Sequence, residues 1–571
     1  MLCLLGVPAT RGLEWHITGL SSPLKNNVDS YLAFLIEKQG APDSHLLSKI
    51  EERIYQALRA KGYYQPHRLT ITPHKTRSSP VVFNIDIDPG KPVVITDIHV
   101  TLKGDCQNDP AYQVLLEKEL PQQGELLDHG KFDHFLTQLS QLAAQRGYFD
   151  AALLNPELQV FPSKNQAVWQ VRFDSGKRYC FGTLTLQGSQ IDTKLIEALV
   201  PFKSSEPYNS DKLLTFSQRL SETLWFSSVM ITPQFDMRKG NDCLPLLLVV
   251  TPRIKNSVEL GGRFSTEQGL GARCNWRKPW INSLGHSIES QLKISKPEQQ
   301  LNLGYRLPLT KDPLKQYYQF SVEFENKHEN DTNSRSMNLK IARYLDPWNT
   351  WKPSIILNWQ GARFTQGSQA KTTTAALYPS IHIDRLRQRG GLLPKWGDKQ
   401  TYSLDLSRRD WSSQVNFTRF LFNNIWIRSP KKQHRCLLRY SGGWITTTNF
   451  SAVPATLRFF AGGDSNIHGI RGYEHKTISP KDEQDKLTGA SKLATASIEY
   501  HYSFINNWWF ALFMDGGLAA HQFTRGAVKQ GAGIGVRWDS PIGPIKLDFA
   551  RAINDSQQRK LQFYFAFGAE L

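Results

Sequence analysis

From about Arg253 onward the chain is written in segments of roughly ten residues in which apolar and polar side chains alternate, and this pattern restricts the fold more than any other feature. In "SVELGGRFS", Val258, Leu260, Gly262 and Phe264 share one face, while Glu259, Gly261, Arg263 and Ser265 share the other. Successive side chains of a strand point to opposite faces, so a period of two marks a sheet with one apolar and one mixed face. Sixteen such segments fall between Asn256 and Leu571, most of them separated by turn residues. The last, "KLQFYFAFGAEL", sets Leu561, Phe563, Phe565 and Phe567 against Gln562, Tyr564, Ala566 and Gly568. "GVRWDSPIGPIKLDFA" reads as a hairpin turning over Asp539–Gly543.

The longest apolar run, "LPLLLVV" at Leu244 to Val250, falls far short of the roughly 18–20 residues a transmembrane helix needs. A chain of this kind crosses lipid as a closed barrel, the one strand architecture that leaves no backbone polar group unpaired. An even number of segments, with aromatics at segment ends ("NNWWF" from Asn506, "RKPWIN" from Arg277), predicts a 16-stranded antiparallel transmembrane β-barrel over 254–571. Its apolar face meets lipid and its polar face lines the lumen. The alternative is a soluble β-sandwich or propeller, but no blade-length repeat is present.

The N-terminal part repeats at a spacing of roughly 80 residues. "QALRAKGYYQP" (Gln56 to Pro66) is matched by "QLAAQRGYFDA" (Gln141 to Ala151) and, more weakly, by "RLSETLWFSSV" (Arg219 to Val229). Each copy is the end of an amphipathic helix followed by an aromatic and a strand. With the short strands upstream ("LEWHITGL", "ITDIHVTLKG", "CFGTLTLQG") each unit reads strand–helix–helix–strand–strand. That order predicts three small α+β modules, at 13–90, 91–175 and 176–253, with helices on one face of a three-stranded sheet. The first twelve residues, "MLCLLGVPATRG", hold a short apolar run and a Val7-Pro8-Ala9 ending and read as the remnant of a signal peptide.

A net charge of +18 first suggests nucleic acid, but the basic residues are scattered instead of gathered on one arm or face. No nucleic-acid partner is expected; lipid and lipopolysaccharide phosphates account for the charge equally well. The six cysteines form no CxxC and no spacing with histidine that suits zinc, so neither a metal nor another cofactor is expected. Cys180 opens the first strand of the third module and Cys243 its last. If those strands are adjacent and parallel, their starts lie within bridging distance, and a disulfide is predicted; two reduced thiols are the plain alternative.

No HExxH, GxSxG or GxxxxGK[ST] is present, and no enzyme is expected. "GAGIG" at Gly531 lacks the strand-to-helix context of a dinucleotide loop; its glycines alternate along a strand and predict a lumen wall that admits something bulky. One stretch breaks the barrel rhythm. Between strands ending near Thr446 and beginning near Ser491 lies a connection of over 40 residues, and unstructured connections beyond about 15 are usually functional or disordered. It contains "LRFFAGGDSNIHGIRGYEHK", with Arg471 between Gly469 and Gly472. In "FALFMDGG", Asp515 shares a face with Ala511 and Phe513, opposite Phe510, Leu512 and Met514; in "TASIEYHYS" the same alternation turns Glu499 inward. An arginine inside a lumen needs a carboxylate, so Arg471 is predicted to pair with Asp515, with Glu499 competing for or sharing it. A solvated outer loop with an incidental arginine is the bland alternative.

Three strand–helix–helix–strand–strand modules resemble POTRA domains. A sixteen-segment barrel with "IRGY" in its sixth long loop and "FMDGG" in its thirteenth strand resembles the outer-membrane assembly superfamily that includes BamA. "LRFFAGGD", "GVRWDSPIGPIKLDFA" and the closing "LQFY…GAEL" are similar to its TamA family, the translocation and assembly module subunits. The resemblance covers the chain from about Leu13. It implies a bacterial outer-membrane protein with its POTRA modules in the periplasm, in which Arg471, Gly472 and Tyr473 of the loop pack in the lumen against Asp515, within a strand motif running from Phe513 to Gly517. It also implies a weakly zipped lateral seam between the first and last strands, here with Val258 and Leu260 of the first and Phe565, Phe567 and Gly568 of the last. The implied partners are a TamB-like periplasmic protein, client outer-membrane proteins such as autotransporters, and outer-membrane lipid and lipopolysaccharide. The implied roles are insertion or secretion of those clients and phospholipid transport. A two-partner secretion transporter, which exports a polypeptide through its lumen, is the alternative; it usually carries two modules and a plug helix.

Overall fold

The computed structural model describes residues 14–33, 35, 44–74, 82–237, 242–390, 393–464, 467–541, 543–555 and 560–567. It divides into two compact units, one of 1–185, 201–215 and 231–247, the other of 186–200, 216–230 and 248–571. The leading segment read as a signal remnant lies outside the described residues.

The first module runs β1 (Glu14–Thr18), α1 (Ser22–Ala33), α2 (Ser44–Ala60), β2 (Arg68–His74) and β3 (Val82–Asp88). The second runs β4 (Val94–Lys103), α3 (Pro110–Glu119), α4 (His129–Arg146), β5 (Ala152–Phe161) and β6 (Gln166–Asp174). The third runs β7 (Cys180–Gln187), α5 (Thr193–Glu197), α6 (Ser210–Glu222), β8 (Phe226–Pro233) and β9 (Cys243–Pro252). In every module the last strand sits between the other two, in the orders β1-β3-β2, β4-β6-β5 and β7-β9-β8. β1 and β4 run parallel to their central strand, and β2 and β5 antiparallel to it.

The central strands carry the cores. In β6, Ala167, Trp169, Val171 and Phe173 are buried under α3 and α4, and Phe132 meets Trp169 edge-on at 5.0 Å. In β3 the same period buries Phe83, Ile85 and Ile87 against Leu24, Val28, Ile54 and Leu58. In the first two modules the apolar faces of the helices thus close one face of the sheet. Helix ends follow local chemistry: Asp128 caps α4 by accepting from Gly130 N–H, and Gly147 ends it in the left-handed region at φ 85°.

Cys180 and Cys243, at the starts of neighbouring strands β7 and β9, are disulfide-bonded across a sequence separation of 63. In the chain-entropy account, a loop of that length contributes about 4 kcal/mol by restricting the unfolded chain. Thiol labelling of unfolded, unreduced protein is therefore expected to leave Cys180 and Cys243 unmodified, and prior reduction to expose them. Modification of both before reduction would show the bond to be absent.

The second half is a closed barrel of sixteen antiparallel strands, each paired to the next. They are β10 (Ser257–Ser265), β11 (Gly269–Lys278), β12 (Ser287–Ser295), β13 (Glu298–Pro308), β14 (Tyr317–Glu329) and β15 (Thr332–Tyr344). Then come β16 (Lys352–Gln366), β17 (Thr372–Arg389), β18 (Trp396–Ser407), β19 (Phe417–Lys431) and β20 (His434–Thr447). The last five are β21 (Lys492–Ile505), β22 (Trp508–Ala520), β23 (Lys529–Ser540), β24 (Gly543–Ala552) and β25 (Gln562–Phe567). Outward positions such as Phe510, Leu512 and Met514 are exposed, while Ala511, Phe513 and Asp515 between them are buried. The lipid face and the lumen are thus separated residue by residue.

Two boundaries differ from the sequence reading. The β23–β24 hairpin is tighter than a turn over Asp539–Gly543: Ser540 already pairs with Gly543, because Asp539 and Ser540 continue the ladder. Closure is also narrower. Ser265 and Ala566 are the one register pair between β10 and β25 among the described residues. Phe264 and Phe565 meet there with ring centroids 5.9 Å apart, and Thr266 N–H donates to Phe565 O at 3.3 Å. On their other side, Val258 and Leu260 pair with Trp276 and Cys274 of β11; Leu260 is 81% exposed. Phe567 pairs with Ile545 of β24, and Gly568 lies outside the described residues.

Candidate functional site: an arginine knot between the long connection and the lumen wall

The connection between β20 and β21 runs inward. Its hydrophobic residues Val453, Phe459, Ala461, Ile470, Tyr473 and Ile478 form one buried cluster with Tyr378, Phe417, Ile445 and Leu493 of the wall. Burying so many apolar groups inside a polar lumen is what holds a segment with little regular secondary structure in a fixed path.

Arg471 sits at its centre, fully buried. Its Nε donates to Asp515 Oδ2 at 2.7 Å and its Nη2 to Oδ1 at 2.9 Å, the fork-on-fork geometry that only a guanidinium provides. The backbone N–H of Arg471 adds a third bond to Asp515 Oδ2 at 2.9 Å. Nη1 reaches Glu499 Oε2 at 2.6 Å and Asp548 Oδ2 at 3.1 Å, so Glu499 shares the arginine. The guanidinium lies over the Phe513 ring, 3.4 Å from its centroid. Asp515, Arg537 and Asp548 occupy lumen positions of β22, β23 and β24, and Glu499 one of β21. Carboxylates of three strands, β21, β22 and β24, thus converge on one arginine.

A second arginine completes the knot. Arg537 Nη1 donates to Asp548 Oδ1 at 2.5 Å, and its Nη2 contacts Glu499 Oε1 and lies 3.2 Å from Asp548 Oδ2. Lys546 links Asp548 to Asp464 of the connection, at 3.4 and 2.5 Å, and Asp464 N–H donates to Glu267 at 2.7 Å. His501 contacts Glu499 at 2.5 Å and Arg435 at 2.8 Å. Each buried carboxylate therefore has a cationic partner, the condition under which charges survive away from water.

Glycines make the approach possible. Gly472 takes φ 100° and a Cβ there would lie 2.6 Å from the Arg551 backbone. Its N–H donates to Tyr564 Oη at 2.9 Å, and that hydroxyl donates to Tyr473 O at 2.6 Å, tying the connection to the last strand. A Cβ on Gly531 would lie 1.8 Å from the Arg471 carbonyl oxygen, and one on Gly533 2.5 Å from the Phe513 ring. The bulky object that "GAGIG" admits is the chain's own connection.

Arg471, Gly472, Tyr473, Glu499, Phe513 and Asp515 are all brought together here, while Gly517 stands at the far end of β22, paired with Thr495 and Lys529. Sequence reasoning missed Arg537, Asp548, Asp464, Lys546, His501 and Tyr564. Alternation was the available signal: Arg537 shares a face with Gly533 and Gly535, and Asp548 with Lys546 and Ala550. Among the described residues, no cluster of histidine, cysteine and carboxylate is placed to hold a metal ion.

Residues 253–571 match the Omp85 superfamily domain, and residues 14–89 match the first POTRA domain of TamA. BamA from Haemophilus ducreyi lacking its POTRA domains 1–3 superposes with a TM-score of 0.68 at 15% identity, over 83% of this chain and 99% of that one. CdiB from Acinetobacter baumannii superposes with a TM-score of 0.46 at 12% identity, over 96% of this chain and 99% of that one.

Proposed function

The chain belongs to the Omp85 superfamily, outer-membrane proteins of protein assembly or secretion, and from that membership we propose that it is the outer-membrane subunit of a translocation and assembly module. Members of the superfamily are transporters or insertases without enzymatic chemistry, and a barrel of this kind fits the bacterial outer membrane with its POTRA domains on the periplasmic side. The observation that supports the reading is the seam: among the described residues, Ser265 and Ala566 are the one register pair between β10 and β25. An unpaired edge of N–H and C=O groups templates an incoming strand, which is the elementary step in assembling another barrel. Clients such as autotransporters pair with β10 while the Arg471 knot keeps the neighbouring wall, β21 to β25, rigid. The TamA-type first module favours a TamB-like periplasmic partner over a two-partner secretion role, with phospholipid delivery as a further task of that pair.

A photocrosslinking residue at Leu260 tests this in cells. It is expected to yield adducts with client β-strands. A transporter that passes polypeptide through its lumen predicts adducts from lumen positions such as Arg439 and none from Leu260, and that outcome would replace the assembly reading.

A further inference from the structure

The outward face of β17, β18 and β19 changes character abruptly toward the end at which the chain enters the barrel. Two cross-strand rows are apolar or aromatic: Ile381, Leu404 and Phe420, then Ile383, Tyr402 and Phe422. The next row is Arg385, Gln400 and Asn424, and the one after it Arg387, Asp398 and Trp426, followed by Arg389 beside Trp396. Rows on one face are two residues apart, about 7 Å along the strand, so the arginines begin within one step of the hydrocarbon band.

These arginines are held in place. Asp398, fully buried, accepts from Arg387 Nε at 3.0 Å and from Arg428 Nη2 at 2.5 Å. Arg385 lies over Trp351 at 4.9 Å, Arg387 and Arg389 over Trp396 at 5.2 Å, and Arg428 over Trp396 at 4.8 Å. Stacking by the face fixes a guanidinium plane while leaving its in-plane N–H groups for an anion. Of the four arginines, Arg387 and Arg428 share the Asp398 carboxylate. Arg385 and Arg389 have no carboxylate partner among the described residues, and Arg385 Nε is buried without a hydrogen-bond partner.

We propose that this face is a binding site for the phosphate of an anionic glycerophospholipid in the periplasmic leaflet. Arg385 and Arg389 take the phosphate oxygens, Trp351 and Trp396 flank the glycerol region, and the acyl chains lie on the Ile383, Tyr402 and Phe422 row. The depth selects the source: the site adjoins the hydrocarbon band at the periplasmic end, whereas lipid A phosphates belong to the opposite leaflet. The proposal does not rest on client handling, so the two readings fail separately.

The test is native mass spectrometry of the full chain in detergent, titrated with phosphatidylglycerol or phosphatidylcholine. Arg385→Gln with Arg389→Gln is expected to weaken phosphatidylglycerol retention about thirtyfold, since each basic residue near anionic lipid is worth roughly fivefold in affinity. Phosphatidylcholine retention should stay unchanged. Arg335→Gln with Arg363→Gln, outward cations near the other end of the barrel, should leave both unaltered. Equal retention by the first pair, or an equal loss in the second, overturns the site. Displacement of phosphatidylglycerol by millimolar inorganic phosphate would identify a free-anion site and overturn the lipid source. A heat-dependent gel shift verifies folding; should the glutamine pair lack it, Arg385→Lys with Arg389→Lys decides, with several-fold weaker retention expected and unchanged retention contradicting the bidentate geometry.

Discussion

Arg471→Ala is expected to release the long connection from the lumen wall and to lower client assembly by tenfold or more, while barrel insertion stays largely intact. The substitution removes the one cation shared by Asp515, Glu499 and Asp548 and leaves Asp515 buried without a counter-charge. Breaking a buried pair from one side costs about 3–5 kcal/mol, more than deleting both partners together. Asp515→Ala is therefore expected to restore part of what Arg471→Ala loses, with a coupling of about 1.5–3 kcal/mol in a double-mutant cycle on protease protection of the connection. Arg471→Lys should behave nearly as badly as alanine, because one ammonium cannot replace two in-plane donors and the stacking on Phe513. Glu499 and Asp548 retain Arg537, so the barrel strands themselves keep their balance of charge. Additive effects of the two alanine substitutions would show that the pair does not hold the connection.

Joining the seam covalently should have the second large effect. Ser265 and Ala566 are register partners on the same lumen-side face, so Ser265→Cys with Ala566→Cys is expected to form a disulfide that stops β25 from parting from β10. Client assembly is expected to fall to background under oxidising conditions and to recover on reduction, with either single cysteine inactive as a lock. The physical reason is the weakness of the natural closure. Among the described residues, one register pair, one aromatic contact and two hydrogen bonds between Thr266 and Phe565 join these strands, whereas β10 and β11 pair over nine positions, from Ser257–Arg277 to Ser265–Gly269. Undiminished assembly by the oxidised double cysteine would mean that the seam need not part.

The module order, the barrel and the division between lumen and lipid were all legible in the sequence, because each is a local property. A period of two decides the face of every barrel side chain without reference to its neighbours, which is why Asp515, Glu499 and Phe513 were placed in the lumen from the pattern alone. The helical stripes and central apolar strands of the modules are equally local. What only the tertiary structure decided is register and depth. Arg537 and Asp548 were visible as inward residues, yet which inward residue meets Arg471 depends on the offset between strands and on a connection that folds back into the barrel. The seam is the same kind of fact: alternation in "KLQFYFAFGAEL" says that Phe565 faces outward, but only the tertiary structure shows that Ala566 meets Ser265 across the closure. Face is set by the geometry of a single strand; pairing is set by the whole closed ring.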